Sequence, residues 1–226
     1  MIGATSTKKS ARVAQRHFQD ASSGDSKKQR TRALLLDTAI SVFAAKGIEL
    51  GSILEITTAA GLSNGSFYYH FPDKAALVEA VGGAVAATLV RETDMAMNTI
   101  ESGPERVAFG SLFFIRRGVA NASWGRLIVR ALAEMGEFGE QISSGIRKDV
   151  QIGVDQGLFE VQPSRCLGVM LLGIVGVAMH EILEQPGGQQ GVDVMAADAI
   201  LRVLGIRPNE ARRLTAQALE RLNAMS

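Results

Sequence analysis

Residues 53–74, ILEITTAAGLSNGSFYYHFPDK, leave the chain few ways to fold around them. Ile53, Ile56 and Ala60 recur at three- to four-residue spacing, which puts them on one face of a short helix. Gly61 breaks that helix and Leu62 supplies an apolar anchor. Ser63 is a good N-cap for a second short helix over 64–70. Phe67 and Phe71 fall one turn apart and pack back, so Ser66, Tyr68 and Tyr69 face outward. Two short helices joined by a Gly-containing turn, the second with a polar and aromatic outer side, make a helix-turn-helix. Two core helices of an ordinary bundle share the same outline, since Gly turns between apolar runs are common.

Charge narrows the choice. The chain of 226 residues has a formal net charge of only +1. Residues 1–32 hold eight Lys and Arg against Asp20 and Asp25, a net of +6, so the remainder carries −5. A basic arm ahead of a mildly acidic body concentrates attraction for phosphate at the N-terminus. Between Ala33 and Pro72 the one basic residue is Lys46. Residues 1–25 are rich in Ser, Thr, Ala, Lys and Arg with no sustained apolar period, and are expected to be disordered. Such an arm is either an inert tail or a contact to phosphates or the minor groove.

Beyond residue 25 the sequence reads as helices only, an all-α fold. Ser26 with Gln29 forms a capping box that starts the first helix near Lys27, and Gly47 stops it. Leu36, Ile40 and Phe43 make its inner stripe. Asp73 caps a long helix over 74–99, with Leu77, Val81, Val85, Leu89 and Met95 on its apolar side. Its Gly82-Gly83 pair lowers helix propensity and marks either close packing or a flexing point. Six further helices follow, over 104–121, 123–135, 139–156, 163–185, 192–204 and 208–224, with Pro163 opening the fourth. The chain thus divides into a basic arm (1–25), a helix-turn-helix domain (26–73) and a helical body (74–226).

Several classes of function find no support. No Ser/His/Asp set, paired-carboxylate spacing, P-loop or GxGxxG is present, so no catalytic residues are expected. Cys166 is alone and the three His (His17, His70, His180) are scattered, so neither metal nor cofactor is expected. The N-terminus lacks an apolar h-region, and the longest apolar run, 166–179, is too short for a typical membrane span. A cytoplasmic protein is expected.

Leu35-Leu36-Asp37-Thr38-Ala39, Phe43, Gly47, Ile56, Ala60-Gly61-Leu62-Ser63, Gly65 through Phe71 and Asp73-Lys74 occur in an order and spacing that resemble the DNA-binding head of the tetracycline-repressor (TetR) family. The likeness covers about 28–80. One departure is Asn64, where the family often has a basic residue. The resemblance implies contacts to an operator duplex from Ser52, Ser63, Asn64, Ser66, Tyr68, Tyr69 and Lys74. Ser52 would cap the first short helix and aim its N–H groups at phosphate. Tyr68 and Lys74 suit backbone oxygens; Ser66 and Tyr69 suit base edges.

The same resemblance implies a homodimer joined through 163–185 and 192–204, and a body that holds a small effector. Palindrome reading supplies a separate reason for a dimer, because two recognition helices must reach successive major grooves about 34–36 Å apart. Phe109, Phe113, Trp124, Met135, Phe138 and Met170 suit the wall of a cavity for an apolar or amphipathic ligand, and equally suit a plain core. Arg116, Arg117, Arg126 and Arg130 suit an anionic ligand group or a salt-bridged face, and His180 an interface, a core or a ligand contact. The expected function is a ligand-relieved repressor; its rival is a DNA-binding dimer controlled by a protein partner with no chemical effector.

Overall fold

Local signals set most of the helix ends. The computed structural model describes residues 26–133, 137–185 and 190–225; the N-terminal arm (1–25), the Pro186-Gly187-Gly188 loop and Met135 lie outside them. Ten helices occupy the described residues: α1 (Lys27–Lys46), α2 (Ile53–Ala59), α3 (Asn64–His70), α4 (Lys74–Ala96), α5 (Gly103–Val119), α6 (Ala122–Ala133), α7 (Glu137–Asp155), α8 (Arg165–Glu184), α9 (Val192–Val203) and α10 (Pro208–Ala224). Among these residues there is no strand. The Ser26–Gln29 capping box is formed in both directions. Gly47, Gly157 and Gly205 follow helix ends with positive φ, a conformation that costs glycine nothing. Asp73 Oδ1 accepts from the Ala76 N–H at 2.8 Å and starts α4.

Two expectations need correction. Pro163 does not open α8; Ser164 does, its Oγ accepting from the Leu167 N–H. A proline at the first turn would only omit a donor, whereas the serine satisfies one. Met95 does not belong to the apolar side of α4 but is exposed near the helix end.

The chain divides into two compact units between Gly82 and Gly83, nine residues into a helix that runs unbroken. In the head, Leu35, Leu36, Ile40, Phe43, Ile56, Phe67, Phe71, Leu77 and Val81 form the buried core. Helix α1 packs on α2, and α2 on α3. In the body, α5 is the hub and packs against α6, α7, α8, α9 and α10. Ion pairs fix it further: Arg116 meets Asp193 of α9 at 2.5 Å, and Arg117 meets Glu92 of α4 at 2.8 Å. Arg126 pairs with Glu184 at 3.6 Å, so these three arginines are engaged within the protein.

Helix α8 has mean hydropathy 2.1 and would pass for a membrane span by length and composition. The uninterrupted apolar run is shorter, but the helix grown around it is not. Its inner residues Leu171, Leu172, Val175, Ala178 and Met179 are buried against α5, α6, α7 and α9. The need for an apolar helix is met on that side by the protein's own core.

Candidate nucleic-acid interface and body cavity

Helices α2 and α3 have seven residues each, too few to stand alone in water. Caps and packing hold them. Ser52 accepts from the Glu55 N–H while Glu55 accepts from the Ser52 N–H at 3.0 Å. Lys46 closes on the same carboxylate. That hydrogen bond and those from Ser52 hold the Glu55 pKa at about 2. The lysine that stands alone between Ala33 and Pro72 is therefore spent on a carboxylate. Gly61 takes φ +66° in the turn, and Ser63 Oγ accepts from the Ser66 N–H at 3.2 Å to start α3.

Phe67 anchors α3. It is fully buried, edge-on to Tyr68 at 5.3 Å and tilted against Phe71 at 5.8 Å. The other side of the helix is open: Tyr68 is 58% and Tyr69 68% exposed. Ser52, Ser63 and Asn64 are also exposed and Ser66 is half-buried. Asn64 is not idle, for its Oδ1 accepts from the Thr57 hydroxyl at 2.8 Å and links α3 to α2. Lys74 is half-buried and donates to the Glu49 carbonyl at 3.1 Å, which fixes the loop before α2 and leaves two of its three N–H groups.

The first turns of α1, whose Lys27, Lys28, Arg30 and Arg32 are placed by the sequence to attract DNA, bring basic groups to this surface against rings that no local signal could name. Lys28 Nζ lies 5.1 Å from the Tyr69 ring centroid, and Arg32 lies 5.1 Å from that of Phe71. His70 sits edge-on to Tyr69. Burial, then the charges of Lys28 and Arg32, lower its pKa and keep it neutral at neutral pH. The arrangement is an outward pair of phenols beside fixed cations, over a helix pair with exposed hydroxyls, which can engage phosphate oxygens and base edges together.

The body holds a partly open cavity of about 70 Å³ bordered by α4, α5, α7, α8 and α9, several times the roughly 10–15 Å³ that one water needs. Val107, Gly110, Ser111 and Phe114 line it from α5, at the spacing of one helical stripe. Phe109 and Phe113 lie on another stripe of the same helix and stack on each other at 5.8 Å. Of the residues expected at an effector site, Phe109 is buried, Phe113 and Trp124 are half-buried and Met170 is exposed; none of these four borders this cavity. Met135 lies outside the described residues, as does the Phe138 side chain. Sequence reading passed over Arg106, which lines the cavity and whose Nε donates to Asp149 Oδ1 at 2.6 Å. Burial raises the Asp149 pKa and nearby Asp94 adds to the rise, against the pull of Arg106.

Residues 35–81 match the family model of bacterial regulatory proteins, tetR family, and residues 103–217 match that of the tetracyclin repressor-like C-terminal domain. Over 49 residues the chain is 43% identical to the HTH-type transcriptional regulator AcrR of Shigella flexneri, covering 22% of this chain and 23% of that protein. Over 54 residues it is 37% identical to the HTH-type transcriptional repressor KstR2 of Rhodococcus jostii, covering 24% and 26%. The likeness thus spans about a quarter of the length of these curated relatives. Among solved structures, RolR in complex with resorcinol superposes with TM-score 0.67 at 23% identity, over 84% of this chain and 94% of that one. A TetR-family transcriptional regulator from Pectobacterium atrosepticum has the same TM-score and identity, over 80% and 97%. These two likenesses speak to the fold. The C-terminal match alone spans more than half of the sequence and the N-terminal match covers the helix-turn-helix, so the chain belongs to the TetR family of DNA-binding transcription regulators.

Proposed function

We propose that this regulator is a repressor that binds a palindromic operator as a homodimer and releases it when a small molecule enters the body. The observation that carries the reading is the outer face of α8. Cys166, Met170, Gly173, Val177, His180 and Glu184 are all exposed and recur at alternating spacings of four and three, the seam of a helix that meets another helix. Met170 is 58% and Val177 69% exposed. On α9, Met195 is exposed as well. Large apolar side chains left wet along one stripe favour a covered interface, and the unlined space at Gly173, with nothing within 4 Å of an added Cβ, favours close approach of a second helix.

Val177→Asp is the test. Light scattering is expected to give a dimer for the parent chain and a monomer for the variant, because two carboxylates facing each other in an apolar seam are strongly unfavourable. Affinity for DNA selected from a random-sequence pool should fall with the dimer. A monomeric parent, or a variant that binds that DNA as well as the parent, would refute the homodimer.

On DNA, the proposed contacts are Ser66 and Tyr69 to base edges and Ser52, Ser63, Asn64, Tyr68 and Lys74 to the backbone, with Lys28 and the 1–25 arm adding phosphate attraction. Lys28→Ala is expected to reduce the slope of log K against log salt by about 1. Lys46→Ala should leave the slope unchanged, since Lys46 already faces Glu55. Equal slopes for all three proteins would remove Lys28 from the interface.

The cavity favours a small-molecule effector over control by a protein partner alone. RolR was solved with resorcinol, and a molecule of similar size is the reading here. The effector must bind the DNA-incompetent conformation better than the competent one. Operator affinity unchanged at saturating effector would mean no coupling.

A further inference from the structure

We propose that the body cavity takes a small neutral aromatic ring carrying one or two hydroxyl groups, each of which donates to one of the carboxylates Asp94 and Asp149 and accepts from Ser111 or Arg106 Nη2; this rests on the ligand-relieved reading above. The walls ask for a ring. Val90, Val107, Phe114, Ile142, Leu172 and Val175 give an apolar lining around about 70 Å³, a setting for a compact apolar body with polar groups at one end.

The polar end decides the rest. It gathers Thr93 and Asp94 from α4, Arg106 and Ser111 from α5, and Asp149 from α7. Some of its donors are committed. The Thr93 hydroxyl donates to the Leu89 carbonyl at 2.7 Å. Arg106 Nε donates to Asp149 Oδ1, and its Nη1 to the carbonyls of Met97 and Ile100 at 3.0 and 3.1 Å. Acceptors remain. Among the described residues, Asp149 Oδ2 accepts no hydrogen bond, Asp94 has neither hydrogen bond nor ion pair, and the Ser111 hydroxyl has no partner. A pocket that offers carboxylate acceptors beside the Ser111 hydroxyl and Arg106 Nη2 selects a group that both donates and accepts, which a hydroxyl does.

Charge separates the candidates. Arg106 and Asp149 cancel, and Asp94 at the exposed rim leaves the polar end one unit negative. An anion that reached the remaining Arg106 nitrogen, Nη2, would lie beside two carboxylates. A cation would shed its hydration at the inner end for a pair that is already neutral. A hydroxyl loses less water and fills the open acceptors.

The test is isothermal titration calorimetry on the full chain with resorcinol, phenol, benzoate and benzylamine. Resorcinol is expected to bind once per chain, with phenol weaker and benzoate weaker by roughly tenfold or more. Asp94→Asn, at an exposed position that folding does not depend on, should weaken resorcinol by roughly three- to tenfold and narrow its margin over benzoate. Val175→Phe should abolish binding by filling the space; should that variant not fold, Ser111→Ala replaces it, with an expected loss of similar size to that of Asp94→Asn. Benzoate or benzylamine binding as tightly as resorcinol overturns the ligand class, as do heat signals absent for all four probes or affinities untouched by every substitution. Tight resorcinol binding without any loss of operator affinity would leave the ligand class standing and refute ligand-relieved repression instead.

Discussion

Replacing Phe67 with alanine is expected to unfold the head and abolish operator binding while the body stays folded. The ring is fully buried against Phe71 and Tyr68, and truncating such a side chain costs about 3–5 kcal/mol. A unit of this size has little more than that to lose. Neither α2 nor α3 has the length to persist alone, so the loss cannot be absorbed by either helix keeping its shape. Calorimetry should show one transition displaced to low temperature and a second unmoved. Tyr69→Ala provides the contrast: it removes an exposed phenol, so melting should hold while operator affinity falls. If Phe67→Ala melts and binds like the parent chain, the core of the head has been misassigned.

Gly103→Ala is expected to do to the body what Phe67→Ala does to the head. A Cβ at Gly103 would lie 2.3 Å from the Gly153 nitrogen and 2.4 Å from its Cα, and backbone atoms cannot rotate aside as a side chain would. Gly153 has no room to retreat, because its own outer side meets the Phe159 ring. The junction is clamped further by Gln156, which accepts from the Gly103 N–H at 2.9 Å and donates to the Glu101 carbonyl at 2.8 Å. Forcing α5 and α7 apart should cost about 1–3 kcal/mol or more, lowering the body's melting temperature by about 2–12 °C. Gly145→Ala on the same α7 is the control: nothing lies within 4 Å of the added carbon, and the gain in helix propensity, up to about 1 kcal/mol, should hold or raise the melting temperature. Equal melting for both variants would show that the two glycines do not set the spacing of α5 and α7.

What could be read from sequence was whatever neighbouring residues decide. Ser26, Ser63, Gly47, Gly157, Gly205 and Pro208 mark helix ends through caps and backbone preferences that act within four residues, and the observed ends follow them. The outward position of Tyr68 and Tyr69 followed from the spacing of Phe67 and Phe71 for the same reason. Contacts that join distant segments were not legible: Lys28 to Tyr69 and Lys74 to the Glu49 carbonyl in the head, Arg106 to Asp149 in the body. An effector site was expected among large aromatic residues, and the cavity is bordered by a different stripe of α5, because side-chain size does not say which way a helix turns. Phe113 and Phe114 are adjacent, and about 100° of helical rotation gives Phe114 to the cavity and Phe113 to a different face.

Both tyrosines of the chain stand in α3, and its one tryptophan, Trp124, stands in α6. Each compact unit therefore carries its own chromophore. Red-edge excitation reports the indole and hence the body alone, while the phenol emission that remains after subtracting it reports the head. A single thermal scan on unlabelled protein can then follow the two units as separate optical channels, without a dye, a tag or an added mutation.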